Sequence, residues 1–435
     1  MKTTISVTDL STEGYGIGRT DSSRVVAVPG TLPGDRVQVE FFETSKGLVR
    51  GSLLSLIGAS PDRCDHPCQH YGEGCLASPL GAYSYQSALE WKRKNLGETL
   101  RRLGGIDIEV PPVIASPLQW GYRERVELGI EIRDNQWLIG YQFDNKIVPI
   151  LDCQLTEEAV RKAVSSFIER FANEPVKDRK DSSGEVARIL FRSNGRDGVV
   201  AVLFLNVEYE PRIDKLAEAL TSLNLNGWEI RSVESLKQRA YNSQWARSMG
   251  ETTVAIRHGG ATANASALTF SQVNRQAAAL LEAEVMKFIT KGNNVLDLYG
   301  GWGMFGLSAA GQGAAVEVVD SNEDSLLAGE SLARATGLNV RYQWGNLDQA
   351  AAWSELPREA DVIILDPPRK GLSSPARFWL EKYGANRLIY ISCHPAALAR
   401  DLKQMPTYRL QGVQAFDMFP QTPDLETVAI LERVR

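Results

Sequence analysis

Three successive patterns predict a multidomain protein of mixed α/β and β class: a small β-barrel, an α+β middle, and a C-terminal α/β unit with a parallel sheet. Short alternating segments broken by Gly and Pro fill residues 1–57 and describe a small antiparallel barrel. Alternating strand-like runs then occupy residues 121–260. From residue 266 to 435 short β-branched apolar runs alternate with helical patterns, as βα units do. At 435 residues the chain has room for two or three domains.

Composition narrows the classes. An apolar content of 43% with 23% charged residues is ordinary for a globular protein. No apolar run reaches spanning length, and MKTTISVTDL alternates like a strand instead of forming a signal sequence; no membrane association and a cytoplasmic location are expected. The net charge of −5 means that any nucleic-acid binding must come from local patches. Five cysteines is an odd count, and three crowd into Cys64–Cys75. Without an export signal that crowding points to metal or catalysis and not to disulfides.

The barrel strands are expected at residues 4–7, 24–28, 35–42 and 48–57. The loop Gly14-Tyr15-Gly16-Ile17-Gly18 resembles a phosphate cradle, but no helix pattern follows it, so that reading fails. Small barrels often grip oligonucleotides, and a purely structural barrel is the plainer alternative. Cys64, Cys68 and Cys75, with Cys153 as a distant fourth, suit either tetrahedral Zn or a [4Fe–4S] cluster. His66 and His70 could replace a thiolate, and unligated thiols are the bland alternative. Residues 87–103 form a helix on Leu89, Leu96, Leu100 and Leu103, ended by Gly104-Gly105. Its other face carries Lys92, Arg93, Lys94, Arg101 and Arg102, either simply solvated or touching RNA. The middle is expected to be antiparallel, with runs at 125–132, 137–141 and 199–205, one helix at 161–171, and a mobile polar loop at 178–185.

In the last part residues 276–288 read as an amphipathic helix, 295–299 as a buried strand, and 315–319 as a second strand ending in Asp320. Between them Asp297 to Gly303 reads D-L-Y-G-G-W-G. This fits a Rossmann-like unit, in which glycines admit a ligand to the backbone and the acid binds a ribose. Runs 362–365 and 388–391 end in Asp366-Pro367-Pro368-Arg369 and Ser392-Cys393-His394-Pro395. Ligands bind beyond the carboxyl ends of such strands, so a carboxylate and a thiol share one crevice there. Cys393 precedes a Pro-opened helix at 396–404, whose dipole should lower the thiol pKa and favour a nucleophile. A buried structural cysteine is the alternative.

The barrel, the cysteine loop, Phe270-Ser271-Gln272-Val273-Asn274, VLDLYGGWG, DPPRKG, ISCHPAALARDL and Glu426-Thr427-Val428-Ala429 occur in that order. Together they resemble the RNA uracil-5 methyltransferases that carry an N-terminal TRAM domain, an OB-like RNA-binding barrel, along essentially the whole chain. The resemblance implies methyl transfer from S-adenosyl-L-methionine (SAM) to C5 of a uridine in rRNA or tRNA. It makes Cys393 the nucleophile and Glu426 the base. Gln272, Tyr299, Asp320, Asn346 and Asp366 would surround SAM and the target base, with Asp297, Gly301 and Gly303 in the glycine-rich SAM motif. It also implies a [4Fe–4S] cluster on Cys64, Cys68, Cys75 and Cys153, an RNA partner, and a monomer without an obligate protein partner. The implied domains are 1–60 (TRAM), 61–85 with 110–265 (middle), and 86–109 with 266–435 (methyltransferase). The chain departs from the family pattern in its C-x3-C-x6-C spacing, where C-x5-C-x2-C is usual, and at Gly300, Met304 and Asp424, where Cys, Asn and His are common. Two rival classes are a non-catalytic RNA-binding or chaperone protein and an exocyclic-amine methyltransferase. The latter needs no thiol and places an aromatic residue where Arg369 stands.

Overall fold

The computed structural model describes residues 1–41, 49–133, 136–143, 146–172, 187–196, 198–205, 210–233 and 244–434. The expected loop at 178–185, and the strand ends at Phe42 and Leu48, lie outside the described residues.

Among the described residues Lys2–Leu10, Gly16–Arg19, Val25–Val28, Val49–Gly58 and Arg36–Phe41 close a barrel in that order. Alternation places Ile5, Val7, Val26, Val28, Val37, Val39, Phe41 and Val49 inside it. The glycine repeat serves this closure, since a Cβ on Gly16 would collide with Thr31.

The middle unit is a mixed sheet in the order Gln244–Gly250, Gly227–Ser232, Val199–Leu205, Ala187–Ser193, Arg125–Arg133, Gln136–Phe143, Lys146–Pro149. It is not wholly antiparallel. Val199–Leu205 runs parallel to Gly227–Ser232, because the helix Glu210–Ser222 carries the chain back across the sheet. Two helices therefore cover it where sequence alternation suggested one; the first is Glu158–Ala172, whose Phe167 and Phe171 pack with Phe191 and Leu203.

The C-terminal sheet has the order Val340–Trp344, Ala315–Asp320, Asn294–Leu298, Val362–Leu365, Arg387–Ser392, Glu426–Arg433, Tyr408–Phe416. The first five strands are parallel. The last two form an antiparallel hairpin, with Glu426–Arg433 inserted beside Arg387–Ser392. Helices on both faces bury Leu296, Ile363 and Tyr390 on one side and Val295, Ile364 and Ile389 on the other.

The helix Tyr85–Thr99 runs on through a wider turn, Leu100–Gly104, and stops at left-handed Gly105 (φ 69°). Leu89, Leu96 and Leu100 join the core of the C-terminal sheet. Lys92 does not lie on the charged outer face: it is only 1% exposed. Its position three after Leu89 and four before Leu96 puts it on the apolar stripe. No helix among the described residues is long and apolar enough to cross a membrane.

Candidate active site

Parallel strands bring their carboxyl ends to one edge of the sheet, and the polar residues gather there. Asp297 stands one residue before the end of its strand and is fully buried. Its Oδ2 accepts the amide of Gly306 at 2.9 Å, while Oδ1 has no partner among the described residues. Burial, and then the charges of Asp366 and Asp320, push its carboxyl up to about 8. Tyr299 follows in a left-handed conformation (φ 61°), an uncommon state for a bulky residue that turns the chain sharply into the glycines. Asp320 ends the next strand; its Oδ2 accepts the Gly301 amide at 3.0 Å and its Oδ1 the Asn322 amide at 2.8 Å. Burial nevertheless raises its pKa. A Cβ on Gly301 would meet nothing, so that turn is open to a ligand, whereas one on Gly303 (φ 83°) would strike Tyr342. Asp366 lies past the third strand end, where burial and Asp320 push it up to about 7. Asn346 follows the outer strand Val340–Trp344 and accepts the Asp348 amide through Oδ1 at 3.1 Å.

Cys393 and Glu426 meet through strand register. Ser392 pairs with Thr427 across the antiparallel step, which brings Cys393, one residue past its strand end, and Glu426 to the same edge, near enough for the carboxylate to act on the thiol. Glu426 is 2% exposed and its Oε1 has no partner among the described residues. Burial, then Asp366 and Asp424, hold its pKa well above the usual carboxylate range. The Cys393 thiol is pushed up to about 12, first by burial and then by Glu426. This reverses the lowering expected from the helix Pro395–Lys403. His394 caps that helix, its Nδ1 accepting the Ala397 amide at 3.3 Å, so this donor is not free for a thiolate. The opposing cation is Arg369, whose charge lowers both Cys393 and Glu426 and whose Nη2 donates to Asp424 Oδ1 at 3.0 Å.

Gln272 lines a cavity of about 240 Å³ together with Trp302 and Met304, which flank Gly303, and with Arg192 and Arg275. Arg192, 2% exposed, donates to Ala267 O at 2.9 Å and Ser271 Oγ at 2.7 Å; Arg275 Nε donates to Glu124 at 2.7 Å. Arg192 and Glu124 thus fix the 267–275 loop from the middle sheet, a role their sequence alternation did not disclose. Phe270 is 53% exposed, with the Arg125 guanidinium 5.5 Å from its ring centroid. It is a surface residue, not a core one.

The cysteine loop is the second thiol site. Cys68, Cys75 and Cys153 line one very small cavity with His70, Asp152 and Tyr141. Cys64 is exposed and is not part of its lining. The Leu151 amide donates to His70 Nε2 at 2.9 Å, so the ring proton sits on Nδ1, 3.4 Å from Cys68 Sγ. His70 is therefore a donor to that thiol and not a free ligand. Tyr141 Oη lies 3.1 Å from Cys153 Sγ. Among the described residues no three His, Cys, Asp or Glu groups stand in metal-ligating geometry. The four-thiolate cluster that the resemblance implies is not shown among the described residues: Cys64 lies outside this lining, Cys68 is half-buried, and Cys75 and Cys153 are packed into the core.

Family comparisons agree with the catalytic half of the molecule. Residues 2–54 match the TRAM domain, residues 357–434 the tRNA (Uracil-5-)-methyltransferase model, and residues 262–376 the Methyltransferase small domain. An uncharacterized RNA methyltransferase of Caldanaerobacter subterraneus is 30% identical over 99% of this chain and 98% of its own. One from Gloeobacter violaceus is 30% identical over 99% and 96%. The crystal structure of Pyrococcus abyssi tRNA (uracil-54, C5)-methyltransferase with S-adenosyl-L-homocysteine superposes with a TM-score of 0.74 at 25% identity, covering 99% of this chain and 100% of that one. With a TRAM barrel at one end and the uracil-5 methyltransferase motifs at the other, the chain belongs to the SAM-dependent RNA uracil-5 methyltransferase family.

Proposed function

We propose that the protein methylates C5 of a uridine in tRNA or rRNA through a covalent adduct on Cys393, acting as a cytoplasmic monomer. The domains would be 1–60, 61–85 with 110–265, and 86–109 with 266–435. SAM, when bound, supplies an electrophilic methyl group; Asp320 would hold its ribose, and Asp297, Tyr299, Gly301, Gly303, Asn346, Asp366 and Gln272 would line its site and that of the target base. The open Gly301 turn and the orphaned Asp297 oxygen support that placement.

Carbon 5 of uracil is a weak nucleophile, and addition of a thiolate to C6 moves the C5–C6 π electrons toward C5. Cys393 forms the Sγ–C6 bond, and C5 takes the methyl group as its bond to sulfur breaks. Glu426 then removes the C5 proton, the double bond re-forms, and the Sγ–C6 bond breaks. Net, one hydrogen on C5 is replaced by methyl and one proton is released. A paired uridine hides C5 and C6, so the nucleotide must be extruded or already unpaired. Phe270 with Arg125 offers an exposed stacking surface for a base.

The observation that carries this reading is the buried Glu426 carboxylate brought beside the Cys393 thiol by the Ser392–Thr427 pairing, a combination that neither a binding protein nor an amine methyltransferase needs. The test is to mix the protein and SAM with 5-fluorouridine-containing RNA and run a denaturing gel. Fluorine cannot leave as a proton, so a C6 nucleophile is trapped on methylated RNA. A covalent band that requires both SAM and Cys393 is expected; its absence would remove the covalent mechanism.

A further inference from the structure

The residues between Phe416 and Glu426 form the loop of the terminal hairpin, which closes on the Phe416–Glu426 pair, so whatever fixes the loop fixes the carboxylate. Segments from several parts of the chain grip it. The Asp417 amide donates to Ile114 O at 2.9 Å, the Leu80 amide to Gln421 O at 3.0 Å, and the Tyr122 hydroxyl to Pro420 O at 3.0 Å. Asn274 Nδ2 donates to Met418 O at 3.3 Å.

Inside the loop lies the Lys92 ammonium. It donates to Asp417 Oδ1 at 2.5 Å, Asp424 O at 2.7 Å and Phe419 O at 3.2 Å, which uses all three of its protons on this one loop. Both side chains of the Lys92–Asp417 pair are 1% exposed. The second Asp417 oxygen has no partner among the described residues. Burying such a pair costs about as much as it returns in stability, and apolar residues of equal volume often serve as well. What a fixed ammonium does supply is geometry. Asp424, whose carbonyl it holds, is two residues before Glu426, and its carboxylate holds Arg369.

We propose that Lys92 is a positioning residue for the proton-removal step: by seating the loop from Asp417 to Asp424 it sets where Glu426 stands over the uracil ring. The inference rests on Glu426 acting as the base. A misplacement of about 1 Å at a reacting group can cost on the order of a hundredfold in rate.

The test compares full-length wild type, Lys92→Met and the double variant Lys92→Met/Asp417→Asn. The double variant removes both charges and so leaves none buried alone if the single variant folds poorly. The probe is total RNA from cells grown with or without 5-fluorouracil. Adduct formation on fluorinated RNA needs Cys393 and the methyl donor but no base. Turnover on ordinary RNA needs both. With both variants the adduct should form at close to the wild-type rate, while turnover falls about a hundredfold and a covalent complex with ordinary RNA accumulates that the wild type does not build up. Adduct formation and turnover falling together would overturn the proposal as a general loss of folding, and unchanged turnover would overturn it directly. Failure of the wild type itself to form the adduct would instead remove the covalent reading on which it rests.

Discussion

The molecule holds two groups of thiols, and the same force, burial, raises the pKa of a member of each. Cys75 is pushed up to about 11 and Cys393 to about 12. Their neighbours differ. Cys75 and Cys153 pack among Tyr122, Leu155 and Phe167 in the middle-domain core. Cys393 is partly exposed at a strand end, beside a carboxylate and within the field of Arg369. A raised thiol pKa therefore does not tell a nucleophile from a core residue here. What tells them apart is access, and a buried carboxylate on the neighbouring strand.

Breaking the comparison begins with alanine at each thiol. Cys393→Ala should abolish methyl transfer and the 5-fluorouridine adduct, measured with labelled SAM and by denaturing gel. Cys75→Ala and Cys153→Ala should leave adduct formation intact. Adduct from Cys393→Ala would dismiss the assignment. Next in size is Glu426→Gln, which should still add and methylate but stall, so that a covalent complex with ordinary RNA accumulates. Multiple turnovers at the normal rate would move the base elsewhere.

The pH dependence sharpens the same contrast. Adduct formation on fluorinated RNA needs the thiolate but not the base. Below a pKa of about 12 the thiolate fraction grows about tenfold per pH unit, so single-turnover adduct rates should climb steadily from neutral to alkaline pH. A plateau at neutral pH would mean that the bound site has lowered the thiol. On the cofactor side, Asp320→Ala should weaken SAM binding by at least about tenfold, the scale of one lost charge-assisted bond; calorimetry showing no change would place the ribose contact elsewhere.

The smallest effects belong to the middle-domain thiols. Cys75→Ala or Cys153→Ala should cost about 1 kcal/mol of stability, as deleting one buried methyl-sized group does. Native alkylation should reach Cys64 before Cys75 and Cys153. Metal analysis of anaerobically purified protein tests whether these thiols hold a cluster. Four irons per chain would show that Cys64 joins the others.

Much of this was legible in the sequence because it lay in short runs. The strand-ending motifs around Asp297, Asp366 and Cys393 each join a β-branched run to a turn, and the sheet places all three at one edge. Long-range register was not legible. Nothing near Glu426 says that its strand inserts beside Arg387–Ser392, and only the family resemblance pointed to it. Lys92 was misread because a charged type outweighed its spacing on the Leu89–Leu96 stripe. The parallel pair in the middle sheet was missed because alternation does not reveal strand direction. The direction of the Cys393 shift was not legible either, because it comes from burial and from Glu426, which lies on another strand.

The insertion of Glu426–Arg433 between two earlier strands has a consequence for biosynthesis. Until residue 433 has been made, Arg387–Ser392 is left with an open edge, and contacts such as Lys92 to Asp417, 325 residues apart, wait for the last part of the chain. Such non-local closure is slow, and an unpaired edge invites association with other chains. We therefore expect the nascent enzyme to be silent toward RNA and dependent on the ribosome or a chaperone to shield that edge. A stalled chain ending at residue 425 that still formed the fluorouridine adduct would refute this, because it would show that Cys393 is competent before its sheet is complete.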